Sequence, residues 1–490
     1  MSDFPGTTGL ILEEPILFDL PGDPDAGLDP ADVPEDLAEV PLRQAPLGLP
    51  NVAEYRVVRH YTRISQYNYG IESGLFPLGS CTMKHNPRVN ELLAALDGFA
   101  WLHPEAPEQW SQGALQVAVE LNEALQAITG MQDFTLLPAA GAHGEFTGLC
   151  LISAYYEARG ELDRRRKILI PETAHGTNPA SAALAGFEVV NLPPQRGAVL
   201  QPDEILPYLD DSVACLMLTN PNTLGVFESH IEAIAERLHE LDAFLYCDGA
   251  NLNAIMGKAR PGDFGVDVIH LNLHKTMSTP HGGGGPGCGP VGVSERLVDF
   301  LPGPRPVRQG DGFSWATPAQ AIEPVKQFYG HFGMFVRALA YIRRLGGEGL
   351  RRASERAVLN ANYLRARLAD TFELPFDDPS LHEVVFSDKR QKMHGVSALD
   401  IAKGLIDRGF HPPTIYFPLV VSGALMIEPT ESEDQATLDQ FVAAMIDIAE
   451  QAASGGADAL HDAPTRSFRG RLDEATAARK PILRWTPADE

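Results

Sequence analysis

Apolar positions along the chain follow two patterns. Val117, Leu121, Ala124, Leu125 and Ile128 recur at helical spacing and Gly130 follows as a stop, which predicts a helix. Beyond it, short and mainly apolar runs at 134–137, 167–170, 214–218, 244–247 and 266–273 alternate with helical stretches. Strands that read as continuous apolar runs between helices predict a parallel sheet covered on both faces. The expectation is therefore an α/β domain over residues 110–335. A long helical region at about 318–371, punctuated by Gly346 and Gly347, leads into strands at 382–387 and 425–428. Helices at 398–408 and 437–450 accompany those strands, which predicts a smaller α+β domain over 336–490. Residues 1–109 are left as an N-terminal arm and interface segment. No internal repeat is found.

Composition changes this picture at the N-terminus. Residues 1–50 hold eleven Asp or Glu, one Arg and nine Pro, too little apolar material for a core of their own. The whole chain carries a formal charge of -26 over 490 residues, which argues against a nucleic-acid partner. No apolar run approaches the length of a membrane span, and the start MSDFPGTTGL does not resemble a signal peptide. The five cysteines, at 81, 150, 215, 247 and 288, lack CxxC spacing; three of them, Cys150, Cys215 and Cys247, sit in apolar runs. Reduced thiols in a cytoplasmic protein are the expectation.

Ligands of open parallel sheets gather at the carboxyl ends of the strands. At those ends stand PAAGAHGE (138–145), PETAHGT (171–177), TNPNT (219–223), DGAN (248–251) and HK (274–275). The first is a small-residue turn into a helix. Backbone N–H groups of Gly141, Ala142, His143 and Gly144 could face an anion there, but alone this is a weak signal and a plain turn is the commoner reading.

Lys275 admits three readings. KT at 275–276 imitates the end of a phosphate loop, but that motif needs its glycines before the lysine, and here Gly282–Gly285 come after. A metal site is not favoured. His270 and His274 are four apart, yet no acid or cysteine stands at zinc-ligand spacing and HExxH is absent. The covalent reading fits best. An apolar or cationic setting makes a lysine nucleophilic, and pyridoxal phosphate enzymes pair such a lysine with an acid that keeps the pyridine nitrogen protonated. Asp248, 27 residues upstream, is that candidate acid. Among nine lysines only Lys84 and Lys258 also lie near suggestive residues, and both read as surface charges.

These residues resemble a known family. DGAN (248–251), HLNLHKT (270–276), YTRISQ (61–66), PLGSCTMKHNP (77–87), PETAHGTNPA (171–180) and GFHPPTIYFP (409–418) occur in order. They are similar to motifs of the glycine dehydrogenase (decarboxylating) P-proteins of the glycine cleavage system. The likeness runs from about residue 51 to ARKPILRW (478–485), and the length matches subunit 2, the lysine-bearing half of the split form. It implies a fold-type I pyridoxal phosphate fold (aspartate aminotransferase-like) and an α2β2 heterotetramer with subunit 1. It also implies glycine decarboxylation with transfer of the aminomethyl group to the lipoyl arm of H-protein, releasing CO2.

By the same resemblance, Lys275 would bond the aldehyde of pyridoxal 5′-phosphate, and Asp248 would hold its ring nitrogen. Ala250 and His175 would pack on the two ring faces. Gly141, Ala142 and His143 would bind phosphate, with Thr276 helping, and Asn222 would reach the ring hydroxyl. Tyr61, Thr62, Ser80, Cys81, Thr82 and His85 belong to motifs that could line a channel for the lipoyl arm. The competing readings are another fold-type I decarboxylase, an aminotransferase, and a non-catalytic scaffold subunit. An aminotransferase would need a small-domain arginine for the substrate carboxylate, where only Arg390 and Arg408 are on offer and neither in a recognisable context.

Overall fold

In the computed structural model, residues 13–20, 41, 44–45, 48–193, 196–283 and 285–486 are described. The acidic stretch 21–40 of the expected arm lies outside them. The first long helix, Gln112–Thr129, turns Leu115, Ala118, Leu121 and Leu125 inward. Gly130 ends it at φ 75°, a left-handed conformation that glycine adopts without a Cβ clash.

The main sheet has seven strands: β1 (Asp133–Thr135), β2 (Lys167–Ile170), β3 (Glu188–Asn191), β4 (Val213–Thr219), β5 (Phe244–Asp248), β6 (Val268–His270) and β7 (Val291–Val293). Their order is β1-β7-β6-β5-β4-β2-β3. β4 and β5 are buried throughout, as their unbroken apolar runs require. The sheet departs from the wholly parallel expectation at β7, which runs antiparallel to both β6 and β1. β7 is only Val-Gly-Val within a glycine-rich stretch, and β3 is a half-exposed edge, so neither carries a readable apolar run. The run at 266–273 is also not one strand. Leu271 and Leu273 are apolar because the core encloses them, while the chain has already turned into the one-turn helix Leu273–Thr276.

β8 (Arg305–Gln309) and β9 (Gly312–Ala316) form a separate hairpin. The long helix Phe332–Leu368 begins later than expected and is interrupted at Gly346 (φ 60°, ψ 178°). Met334, Ala338 and Ile342 pack into the core of the main sheet, and Leu364 and Leu368 into a second core. The division expected at residue 336 thus falls inside a helix that serves both cores.

The second sheet, in the order β10-β12-β11, is antiparallel: β10 (Val384–Ser387), β11 (Thr414–Ile415) and β12 (Ala424–Ile427). The helices Ala398–Asp407 and Gln435–Ala453 cover it. Residues 75–79, part of the expected N-terminal arm, are built into this layer. Leu75 lies in its core, Leu78 bridges to Ile427, and Gly79 N–H donates to Met426 O at 3.2 Å. No described helix is long and apolar enough to cross a membrane.

Candidate active site

β5 and β6 set the chemistry. Their register pairs Asp248 with His270 at the carboxyl end of both strands. Asp248 Oδ1 accepts the Ala250 N–H at 3.0 Å, Oδ2 accepts from Asn178 Nδ2 at 3.1 Å, and His270 Nε2 lies 3.1 Å from Oδ1. Both side chains of the pair are almost wholly buried. Burial by itself raises the Asp248 carboxyl, but the charge and hydrogen bond of His270 outweigh it and hold the group well below the carboxylate range. Burial opposes a charged His270, and Asp248 reverses that too, raising the imidazole. Hydrogen bonding agrees. Tyr246 gives its hydroxyl proton to Gly144 O at 3.3 Å, so the 3.2 Å contact with His270 Nδ1 has the imidazole as donor. Both effects favour a proton on each nitrogen of His270.

Past β6, Asn272 O accepts the N–H groups of Lys275 and Thr276, which closes the single helical turn. Leu273 and Met277 anchor that turn in the core. Lys275 is 9% exposed, and its Nζ donates to Ser80 O at 2.6 Å. The histidines near it are neutral. Burial, then the proximity of His281 and Lys275, bring His274 to about 3, and burial with Lys275 brings His281 to about 4. His175 follows β2 and donates its backbone N–H to Thr219 Oγ1 at 3.0 Å. Its Nδ1 lies 2.8 Å from Thr177 Oγ1, and burial lowers its pKa against the pull of Asp248.

The helix Gly141–Ala158 begins at the turn after β1. Gly144 N–H already donates to Ala140 O at 2.9 Å, so it is not available to an anion as expected. The N–H groups of Gly141, Ala142 and His143 precede the first intrahelical bond. The His143 imidazole is occupied, accepting from Ala139 N–H and contacting Val325 O, both at 3.1 Å, so this residue offers only its backbone. Close approach explains the glycines here. A Cβ on Gly141 would lie 2.6 Å from Asn272 Oδ1, and one on Gly289 would lie 2.0 Å from Ala140 O. Gly282, Gly283 and Gly285 all hold positive φ in a tight turn, which a Cβ on Gly282 would close at 2.2 Å from Gly285 O; Gly284 lies outside the described residues.

Other candidates divide. Ser80 and Cys81 stand over Lys275, His281 Nε2 lying 3.0 Å from Cys81 O, and Thr82 is anchored on Glu428. Tyr61, Thr62 and His85 are exposed, the Thr62 hydroxyl donating back to Val58 O on its own helix. Asn222 is a correction. Its amide is saturated by Ala198 O, Glu228 and the N–H groups of Leu224 and Val226, so it cannot serve a ring hydroxyl. Asn220, at the end of β4, has a buried Nδ2 without a partner among the described residues. Lys84 is a second correction. It is buried and ion-paired with Glu431 at 2.7 Å, not a surface charge, whereas Lys258 does pair at the surface with Glu355. Arg390 is spent on the carbonyls of Ala369 and Asp370, and Arg408 on Asp447 and Gly404 O, which removes the carboxylate clamp of the aminotransferase reading.

A cavity of about 460 Å³, lined by Phe99, Leu115, Phe134, Trp315 and Phe328 among others, contains neither Lys275 nor Asp248. All five cysteines are free.

Two family profiles match the chain: glycine dehydrogenase, C-terminal domain, over residues 353–465, and aminotransferase class-V over 146–286. A probable glycine dehydrogenase (decarboxylating) subunit 2 of Halalkalibacterium halodurans is 52% identical, covering 96% of this chain and 98% of its own. That of Caldanaerobacter subterraneus is 52% identical over 94% and 96%. The chain belongs to the glycine dehydrogenase (decarboxylating) subunit 2 family. Among solved structures, a glycine decarboxylase (P-protein) in inhibitor-bound form aligns with TM-score 0.68 at 22% identity, over 85% of this chain and 94% of that one. An aspartate aminotransferase of Thermus thermophilus aligns with TM-score 0.54 at 15% identity, over 77% and 99%. The fold is that of the fold-type I enzymes, and this family depends on pyridoxal 5′-phosphate.

The residues present fit that cofactor. The buried, ionised Asp248 suits a protonated ring nitrogen, Lys275 Nζ suits the aldehyde, and the helix start at Gly141 suits the phosphate. Thr276 Oγ1 is buried with no partner among the described residues and is free to join the phosphate contacts.

Proposed function

We infer that this chain decarboxylates glycine with pyridoxal 5′-phosphate and passes the aminomethyl group to the lipoyl arm of H-protein, releasing CO2. The observation that carries this reading is the Asp248–His270 pair set one strand from Lys275. When bound, the cofactor supplies a cationic pyridine ring that accepts the electron pair left by the departing carboxylate.

The chain's own residues do the rest. Asp248, kept ionised by His270, would hold the proton on the ring nitrogen and so keep that nitrogen cationic. Lys275 Nζ would hold the aldehyde carbon of the cofactor, and Ser80 O accepts a hydrogen bond from the Lys275 amine when that amine is free. Ala250 and His175 would bracket the ring, and the neutral imidazole of His175 would add no charge to compete with Asp248. The N–H groups of Gly141, Ala142 and His143, with Thr276, bind phosphate. Burial around Lys275 excludes water from its Nζ.

Membership of a subunit 2 family supports a subunit 1 partner, and we assign the active form to an α2β2 heterotetramer acting in the cytoplasm. The test is a glycine decarboxylation assay with lipoylated H-protein, with and without subunit 1. Weak or no turnover alone and full turnover with both supports the reading; full turnover by this chain alone overturns the split assembly. Borohydride should fix the cofactor onto Lys275, and a labelled peptide elsewhere would sink that assignment.

A further inference from the structure

Two buried acids take no part in the chemistry described so far. Glu383 precedes β10 and Glu428 follows β12, and the antiparallel pairing of Val384 with Ile427 sets them side by side. Both are 0% exposed. Together with His382 they bring ring-nitrogen and carboxylate atoms within 4.8 Å of one another. Among the described residues, no lysine or arginine forms an ion pair with either acid, although Lys275 lies near enough to act on both.

Each acid holds one end of the turn over Lys275. Ser80 N–H donates to Glu383 Oε2 at 2.9 Å, and Thr82 N–H donates to Glu428 Oε2 at 2.9 Å. The Thr82 hydroxyl donates to Glu428 Oε1 at 2.6 Å. Ser80 and Thr82 both have left-handed backbones, at φ 65° and 47°, a conformation that side-chain-bearing residues keep only when the surroundings impose it. The result is that Ser80 O points at Lys275 Nζ.

Two carboxylates this close and this dry cannot both be ionised. Hydrogen bonding tells them apart. Both oxygens of Glu428 accept, as an ionised group requires, whereas Glu383 Oε1 is buried without a partner among the described residues. An unpaired oxygen there costs less as a neutral acid than as a carboxylate.

We propose that Glu383 and Glu428 are positioning residues that hold a single proton between them, on Glu383, and fix the Ser80–Thr82 turn so that Lys275 meets one carbonyl and one negative charge. The other groups facing the pair agree with this assignment. Burial, then Glu428, raises Glu383 well above the carboxylate range, while burial raises Glu428 only to about 7. His382, 3.8 Å from Glu383 Oε1, is kept neutral by burial and then by Lys275, at about 3. Burial raises the Cys81 thiol, so it stays protonated. Glu431 is already matched by Lys84.

The inference rests on Lys275 as the cofactor lysine. It is tested on the full chain with subunit 1, using Glu383→Gln, Glu428→Gln and Glu383→Ala. Three readouts serve: the infrared carbonyl band of a protonated carboxyl at neutral pH, the dissociation constant for pyridoxal 5′-phosphate, and the pH profile of Lys275 acetylation by acetic anhydride in the apoenzyme.

The wild type should show the infrared band and Glu383→Gln should lose one carboxyl's share of it in the difference spectrum, since burial also raises Glu228 and Glu433 to about 7. That variant should bind cofactor within about threefold of wild type, because its amide keeps a carbonyl for Ser80 N–H. Glu428→Gln should bind at least about tenfold more weakly and move the Lys275 acetylation midpoint to lower pH. Absence of the band in the wild type overturns the proposal, and needs no variant to fold. So does Glu383→Gln as damaging as Glu383→Ala, or Glu428→Gln with both affinity and acetylation profile unchanged. Cofactor fixed on another lysine would sink the cofactor assignment, while the infrared result still reports on the acids.

Discussion

Asp248 and His270 face each other from adjacent parallel strands, and their side chains meet at 3.1 Å in the interior. Removing one partner leaves the other charge buried and uncompensated, which typically costs about 3–5 kcal/mol. Asp248→Asn keeps the shape and removes the charge. It should lower glycine–bicarbonate exchange by at least about a hundredfold, on the scale of losing a preorganised electrostatic group. Circular dichroism should show the fold retained; near-normal exchange would count against the role of Asp248.

The same pair makes stability depend on pH. Folding raises the His270 pKa, so its contribution is complete below the unfolded value of about 6.5 and is lost as pH rises through the folded value. Folding lowers the Asp248 pKa, so its contribution is present above about 3.9 and is lost as pH falls through the folded value. Melting temperatures measured from about pH 7 upward should fall more steeply for the wild type than for His270→Gln. Parallel curves would show that the pair is not charged.

Gly289→Ala should weaken cofactor binding without touching a functional group. Its Cβ would sit 2.0 Å from the carbonyl oxygen of Ala140, the residue that starts the helix at Gly141. Overpacking of this kind costs about 1–3 kcal/mol. Cofactor titration should show affinity reduced by about tenfold or more, and unchanged affinity would mean that the segment can move away freely.

Lys84 and Glu431 form a buried ion pair that also engages Asn253 and Tyr341. Lys84→Met should destabilise the chain by about 3–5 kcal/mol in denaturant unfolding. Lys84→Met combined with Glu431→Leu should recover part of that loss, because no unpaired charge remains. A double variant worse than the single would show that the pair itself is strongly favourable.

Much of the framework is legible in the chain itself. The interiors of β2, β4 and β5 are apolar on successive positions because both faces of those strands are covered. Residues next to a strand end, such as Asp248 and His175, or in the turn just beyond one, such as Lys275, can be placed from local pattern, since strand and turn are local events. β7 escaped because three residues between glycines carry no periodic signal. Asn222 was misplaced because its neighbours Ala198 and Glu228 saturate it, and only the folded loop reveals that.

The sequence by itself determined the α/β alternation, the lysine and acid at strand ends, and the family. Tertiary structure alone decided which groups share a charge. His270 pairs with Asp248 across 22 positions, Lys275 meets Ser80 across 195, and Thr82 meets Glu428 across 346. Hydrophobic periodicity reports which face of an element is buried, a property repeated every few residues. Charge pairing between distant segments depends on how those faces are brought together, and no local period records it.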